Sequence, residues 1–219
     1  MQIYSKNKTH IVNDFSIKWN KTKILKSLDC FPDSPVYDVM EEVYDELIED
    51  IEEWVHPTLA FYIEDVTEDC QIAELKDCTE IIYMTATIGE KISNRITEMF
   101  EAYDQMEAML LDAVATSIIM TISEQVHQVV YNYIKDSGFG AKAISPGEFG
   151  ANIEYQTIIE EKMNGENNIS VTNSFLLEPI KSSSKIYGLK QGIPLSKALH
   201  NCGLCMDKTC KWRSVPYAG

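Results

Sequence analysis

Positive charge is scarce in this chain. Lys and Arg number 19 against 34 Asp and Glu in 219 residues, a formal net charge of −15. A surface of that sign is repelled by phosphate backbones and anionic lipid, which argues against nucleic acid and membrane surfaces as partners. Glycine and proline are also few, 10 and 7, which excludes fibrous and low-complexity disordered classes. No stretch approaches the ~18 uninterrupted apolar residues of a membrane span. The first 20 residues lack the basic start, apolar middle and small-residue cleavage site of a secretion signal. The expected location is therefore the cytoplasm, where six cysteines are more readily thiols or metal ligands than disulfides. Familiar catalytic signatures are missing too: there is no Gly-x-Ser-x-Gly, Walker loop, His-Glu-x-x-His or dinucleotide fingerprint.

What is present is enough apolar material for a core, 45% of residues, arranged in mixed periodicities. Residues 1–20 read as an arm or one or two short strands. Residues 21–28 read as a short helix. Val39, Val43, Leu47, Ile48 and Ile51 recur at helical spacing over residues 38–54, with acids opposite, and Pro57 stops that helix. Residues 58–66 alternate as a strand. Residues 77–84 fit a strand or the entrance to a helix. Residues 90–135 read as two long helices, with Met99, Met106, Met109 and Met120 as core packing. His127 on the second reads as a structural histidine. Two turns follow, at residues 137–140 and 145–147. A helix is expected over 152–163, then strands over 169–177 and 181–189. Long central helices with strands around them predict an α+β fold. The expected partition is an arm at 1–20, a core at 21–189 and a cysteine-rich tail at 190–219.

Two clusters carry chemistry. The first is Lys142-Ala143-Ile144-Ser145-Pro146-Gly147-Glu148-Phe149. A Pro-Gly turn leaves main-chain amides and carbonyls unpaired and admits close approach by a ligand; it is equally an ordinary turn. The second is Cys202, Cys205 and Cys210. A two-residue gap lets two thiolates grip one metal, zinc or an iron–sulfur cluster, with the third nearby. His200, Cys30, Cys70, Cys78 or a partner's group would complete the set. Lys208, Lys211 and Arg213 favour thiolates. Metal ligands, structural thiols and redox thiols all remain open.

In order, the chain reads Asp77-Cys-Thr-Glu-Ile-Ile-Tyr-Met-Thr-Ala-Thr-Ile-Gly89, Leu111-Asp-Ala-Val-Ala-Thr-Ser117, Ala143-Ile-Ser-Pro-Gly147, Val171-Thr-Asn-Ser174 and Pro179-Ile-Lys-Ser-Ser-Ser-Lys-Ile-Tyr-Gly188, then the cysteines. That series, from Ile24 to Arg213, resembles free-standing relatives of the activation domain of vitamin B12-dependent methionine synthase. The resemblance implies a single α+β domain with a twisted, mostly antiparallel sheet and flanking helices. It implies a groove for S-adenosylmethionine at Lys142, Ala143, Ser145, Pro146, Gly147, Glu148, Phe149, Thr172 and Ser174. It implies a cobalamin carried by a partner, a corrinoid protein or methionine synthase subunits, and a flavodoxin-like electron donor. The implied task is reductive remethylation of cob(II)alamin, with the chain a component of the reactivation rather than an established enzyme. The sequence departs from the family's Arg-x-x-Pro-Gly-Tyr at Ala143 and Glu148, and from its Thr-Glu-Ser at Asn173. Those departures fit an alternative: a non-enzymatic corrinoid-protein interaction or metal-carrying module on the same fold.

Overall fold

The computed structural model describes residues 4–148, 151–194, 202, 205, 207–213 and 215–218. Five strands form one antiparallel sheet: β1 (Thr9–Val12), β2 (Thr58–Asp65), β3 (Glu80–Thr87), β7 (Ser182–Gln191) and β4 (Phe139–Ile144), in that spatial order. Among the described residues the α-helices are α1 (Lys21–Ser27), α2 (Tyr37–Glu49), α3 (Ile51–Trp54), α4 (Glu90–Glu101), α5 (Gln105–Ile134) and α6 (Tyr155–Met163). A separate two-stranded ribbon joins β5 (Ser170–Val171) to β6 (Leu177–Glu178). The α+β class with an antiparallel sheet is as the sequence predicts.

Both faces of the sheet are covered. Leu59, Phe61 and Ile63 of β2, Ile82, Met84 and Ala86 of β3, and Tyr187 and Leu189 of β7 join the larger core beneath α1, α2, α4 and α5. Ala60, Ile81, Tyr83 and Ile186 face the smaller core, which α6 closes with Ile159 and Met163. This double burial explains why β3 reads as a continuous apolar run rather than as polar–apolar alternation.

Helix α5 is the centre of the larger core. Its Leu110, Leu111, Val114, Ile118, Ile122, Val126 and Val130 are buried. It is long and apolar enough, by length and composition, to cross a membrane. Its buried face, however, belongs to the same core as the sheet. Met99 is buried, but Met109 and Met120 are 49% and 44% exposed, so these two lie outside the expected core stripe. Residues 38–54 also differ from the single expected helix. The chain breaks at Asp50 into α2 and α3.

Two larger departures shape the site. Where two successive turns were expected, β4 lies between them as an edge strand. Its Ala, Gly and Lys content gives little strand signal. Where one strand was expected over 169–177, the chain makes β5 and β6 around a tight turn. Thr172 Oγ1 accepts from the amides of Ser174 and Leu176, at 3.3 and 3.1 Å, and Phe175 takes a φ of 60°. A threonine hydroxyl serving backbone amides in this way competes with extended pairing.

Candidate functional site

The edge strand β4 delivers the Ser145-Pro146-Gly147-Glu148 turn. The Glu148 amide donates to the Ser145 carbonyl at 3.0 Å, and Gly147 has a φ of +81°. A left-handed third residue is the requirement of a type II turn, and proline at the second position favours it. The amides of this turn are not left open, as the sequence reading expects. Glu148 N–H serves Ser145, Gly147 N–H donates to the Ala151 carbonyl at 3.1 Å, and Ala151 N–H returns to the Glu148 carbonyl at 2.9 Å. These amides are satisfied within the chain.

Strand register decides which side chains those are. Ile144 pairs with Ile186, so Ser145 follows opposite Lys185. Ser183, Lys185 and Tyr187 alternate onto the α5 face of β7. Tyr187 lies in the larger core, and its hydroxyl is 3.2 Å from Nδ1 of buried His127. Ser183 Oγ meets Ser123 Oγ of α5 at 2.9 Å. Lys185 reaches over the turn: its Nζ donates to Ser145 Oγ and lies 3.7 Å from Glu148 Oε2. Burial pulls the Lys185 pKa below the ordinary lysine value, and Glu148 partly opposes that shift. Lys185, with Met84, Ala86, Ser123, Val126 and Ser183, lines a crevice with no room for a water molecule.

Lys185 and Ser123 are the residues that sequence reasoning missed. Lys185 lies in the Pro179–Gly188 segment, yet its burial depends on a turn 40 residues away, which no local pattern reports. The expected residues are only partly gathered. Ser145, Pro146, Gly147 and Glu148 share the turn, and Ala143 lies just before it, exposed on β4 opposite Tyr187. Lys142 instead donates to the Glu74 carbonyl at 2.9 Å. Thr172 and Ser174 sit on the β5–β6 ribbon, and among the described residues no hydrogen bond or ion pair ties them to the turn. Phe149 lies outside the described residues.

The tail cysteines are arranged around an arginine. Arg213 donates to the carbonyls of Cys202, Cys205 and Asp207, the last two at 2.9 and 2.5 Å. Among the described residues no group of three His, Cys, Asp or Glu stands ready to hold a metal; His200 lies outside them. Two of the three cations expected to favour thiolates are engaged elsewhere: Lys211 pairs with Asp29 at 2.6 Å, and Lys208 lies 4.3 Å from the Tyr217 ring centroid. Trp212 packs on the larger core. The tail also closes a pocket of about 530 Å³ against α4 and α5, lined by Phe100, Met109, Asp112, Thr116, Cys210 and Trp212 among others.

A solved structure decides the fold. The MetH reactivation domain, crystallised bound to AdoHcy, superposes with a TM-score of 0.65 over 90% of this chain and 83% of that one, at 13% identity. This chain has the fold of the MetH reactivation domain. No protein-family model matches the sequence, and no curated protein matches it.

Proposed function

We propose that the chain supports reductive remethylation of a cobalamin held by a separate corrinoid protein or by methionine synthase subunits. It does so by holding S-adenosylmethionine near the Ser145–Glu148 turn. The observation that supports this most is the shared fold with a domain crystallised with AdoHcy. The order of motifs agrees with it: the five segments fall on β3, on α5, on the end of β4 and its turn, on the β5–β6 ribbon and on β7. S-adenosylmethionine supplies the methyl group when bound, and a flavodoxin-like donor supplies the electron. The chain's own contribution is position: it holds one reactant so that a second protein can meet it. The −15 net charge suits docking on a basic surface of such a partner.

Calorimetry with S-adenosylmethionine, with and without a cobalamin-loaded corrinoid protein, tests this reading. Binding in either condition supports it, and no heat in both rejects it. The closed crevice favours a second reading: an interaction module that docks on a corrinoid protein without S-adenosylmethionine. The double variant Ala143→Arg, Glu148→Tyr separates the two. If the natural chain binds S-adenosylmethionine as tightly as the double variant, the second reading fails.

A further inference from the structure

The pocket between the C-terminal tail and the helices has no part in the proposed function. Its volume of about 530 Å³ falls within the range of small-molecule sites. One stripe of α5, Met109, Asp112, Ala113 and Thr116 at helical spacing, lines it together with Phe100 of α4. The tail adds Asp207 and Trp212. Met109 and Phe100 are 49% and 47% exposed, so two large apolar side chains lie outside the core and border this space. The hydroxyl protons of the lining are spent within the chain. Ser27 Oγ donates to the Ile24 carbonyl, Thr116 Oγ1 to the Asp112 carbonyl and Thr209 Oγ1 to the Asp207 carboxylate. Lys211, the one cation in the lining among the described residues, gives its protons to both oxygens of Asp29 at 2.6 and 2.7 Å. Acceptors are in better supply. Lys181 meets Asp112 at Oδ1, and Thr209 meets Asp207 at Oδ1. A carboxylate accepts at about four sites, so capacity remains on both. Apolar sides, committed hydroxyls and open carboxylates suit a ligand that donates.

We infer that this pocket binds a small organic amine, its apolar body among Phe100, Met109 and Trp212 and its ammonium on the carboxylates of Asp112 and Asp207. The ammonium brings three donors, which the lining's hydroxyls do not supply. It is also drawn to the electron-rich faces of phenyl and indole rings. Anions are disfavoured twice: the hydroxyl protons they need are committed, and two carboxylates repel them. Asp112 keeps its ion pair with Lys181, whose side chain is 11% exposed, and offers its second oxygen to the ligand. The apolar body covers surface that Phe100 and Met109 otherwise leave to water, and that burial favours binding. Neither Lys185 nor any residue of the Ser145–Glu148 turn lines this pocket, so the site stands apart from the S-adenosylmethionine reading.

Calorimetry on the full chain with phenethylammonium, phenethyl alcohol and phenylacetate tests this. The three share a phenyl body and differ in the charge of the polar end. The ammonium is expected to bind at least about tenfold more tightly than the alcohol, the value of one modest charged contact, and phenylacetate should bind least. Asp207→Asn removes a charge from an exposed residue and keeps an oxygen for Thr209, so folding is not at stake. It should weaken the ammonium about tenfold and leave the alcohol unchanged. Phe100→Ala should weaken both. Asp112→Asn should act like Asp207→Asn, with thermal unfolding to show that loss of the Lys181 pair has not unfolded the chain. Saturating S-adenosylmethionine should leave the affinity for the ammonium unchanged. Equal binding of the three probes, no heat from the ammonium up to about 10 mM, or full affinity in both Asp207→Asn and Phe100→Ala overturns the assignment. Displacement of the ammonium by S-adenosylmethionine overturns it too, because the pocket would then belong to the other site.

Discussion

Lys185 is costly to the fold. Its ammonium is largely buried, its hydroxyl partner is neutral and its anion lies 3.7 Å away. Desolvation holds its pKa below the usual lysine value. Between the folded and unfolded pKa values the unfolded chain binds more protons, so folding stability rises with pH across that window. Below the folded pKa the full cost of the charge is present. Lys185→Met keeps the stem and removes the charge. It is expected to stabilise the protein at neutral pH by about 1 kcal/mol, as when buried ions are replaced by apolar side chains of similar volume. The stability gap between variant and natural chain should narrow as pH rises from about 7 to about 10, towards the unperturbed lysine value. Urea unfolding at both pH values measures it; a constant gap would mean that burial does not govern this lysine. Two glycines nearby also carry structure. A Cβ at Gly140 would run into the main-chain carbonyls of Ile193 and Pro194, which cannot swing away. A Cβ at Gly188 would meet the Leu75 and Cys78 side chains at 2.5 and 2.6 Å. Side chains yield more readily than backbone, so Gly140→Ala should cost more than Gly188→Ala. The expected losses are about 3 and about 1.5 kcal/mol, read as shifts in the urea midpoint at unchanged slope.

At the scale of elements, legibility followed burial. Helices α4 and α5 were visible in the sequence because their apolar residues repeat at helical spacing over many turns. Strand β2 was visible because it alternates. Strand β4 was hidden: it is short, it lies at the edge, and Gly140, Ala141 and Ala143 have little strand preference. Its turns were visible and its pairing was not, because pairing to β7 joins residues some 40 positions apart. The Pro-Gly turn was therefore legible while Lys185 was not, although the two meet in the structure. The β5–β6 ribbon was misread as one strand because Thr172 looks like a strand former; its hydroxyl instead caps a turn. The α5–β7 contact offers a direct check on this layer of the fold. Tyr187 is buried, and its hydroxyl meets Nδ1 of His127. Tyr187→Phe removes that hydrogen bond and keeps the ring. It should cost about 1 kcal/mol, seen in thermal unfolding as a fall of roughly 2–4 °C for a chain of this size. No fall would mean that the two polar groups gain nothing from each other.

At the scale of the whole molecule, the tail connects distant parts of the chain. Lys211 reaches back to Asp29 after α1, and Trp212 packs against the larger core. Arg213 gathers three carbonyls, those of Cys202, Cys205 and Asp207. The cysteine spacing in the sequence suggested closure around a metal, because spacing reports which thiols can meet but not which cation draws the loop together. A guanidinium has five donors in a fixed fork and can organise a loop of carbonyls without any metal. The two arrangements make opposite predictions for the thiols. If Arg213 holds the loop, Arg213→Met loosens it and exposes the cysteines. Loss of even one charge-assisted hydrogen bond, about 1.5 kcal/mol, raises the open population roughly tenfold, and reaction with an aromatic disulfide reagent should accelerate to match. Zinc added to the anaerobic natural chain should then slow the reagent very little, because among the described residues no three ligands are grouped. If zinc instead protects all three thiols at one equivalent, and Arg213→Met leaves their rate unchanged, the sulfurs close on metal by rearrangement, and Arg213 only decorates a loop that the cysteines define.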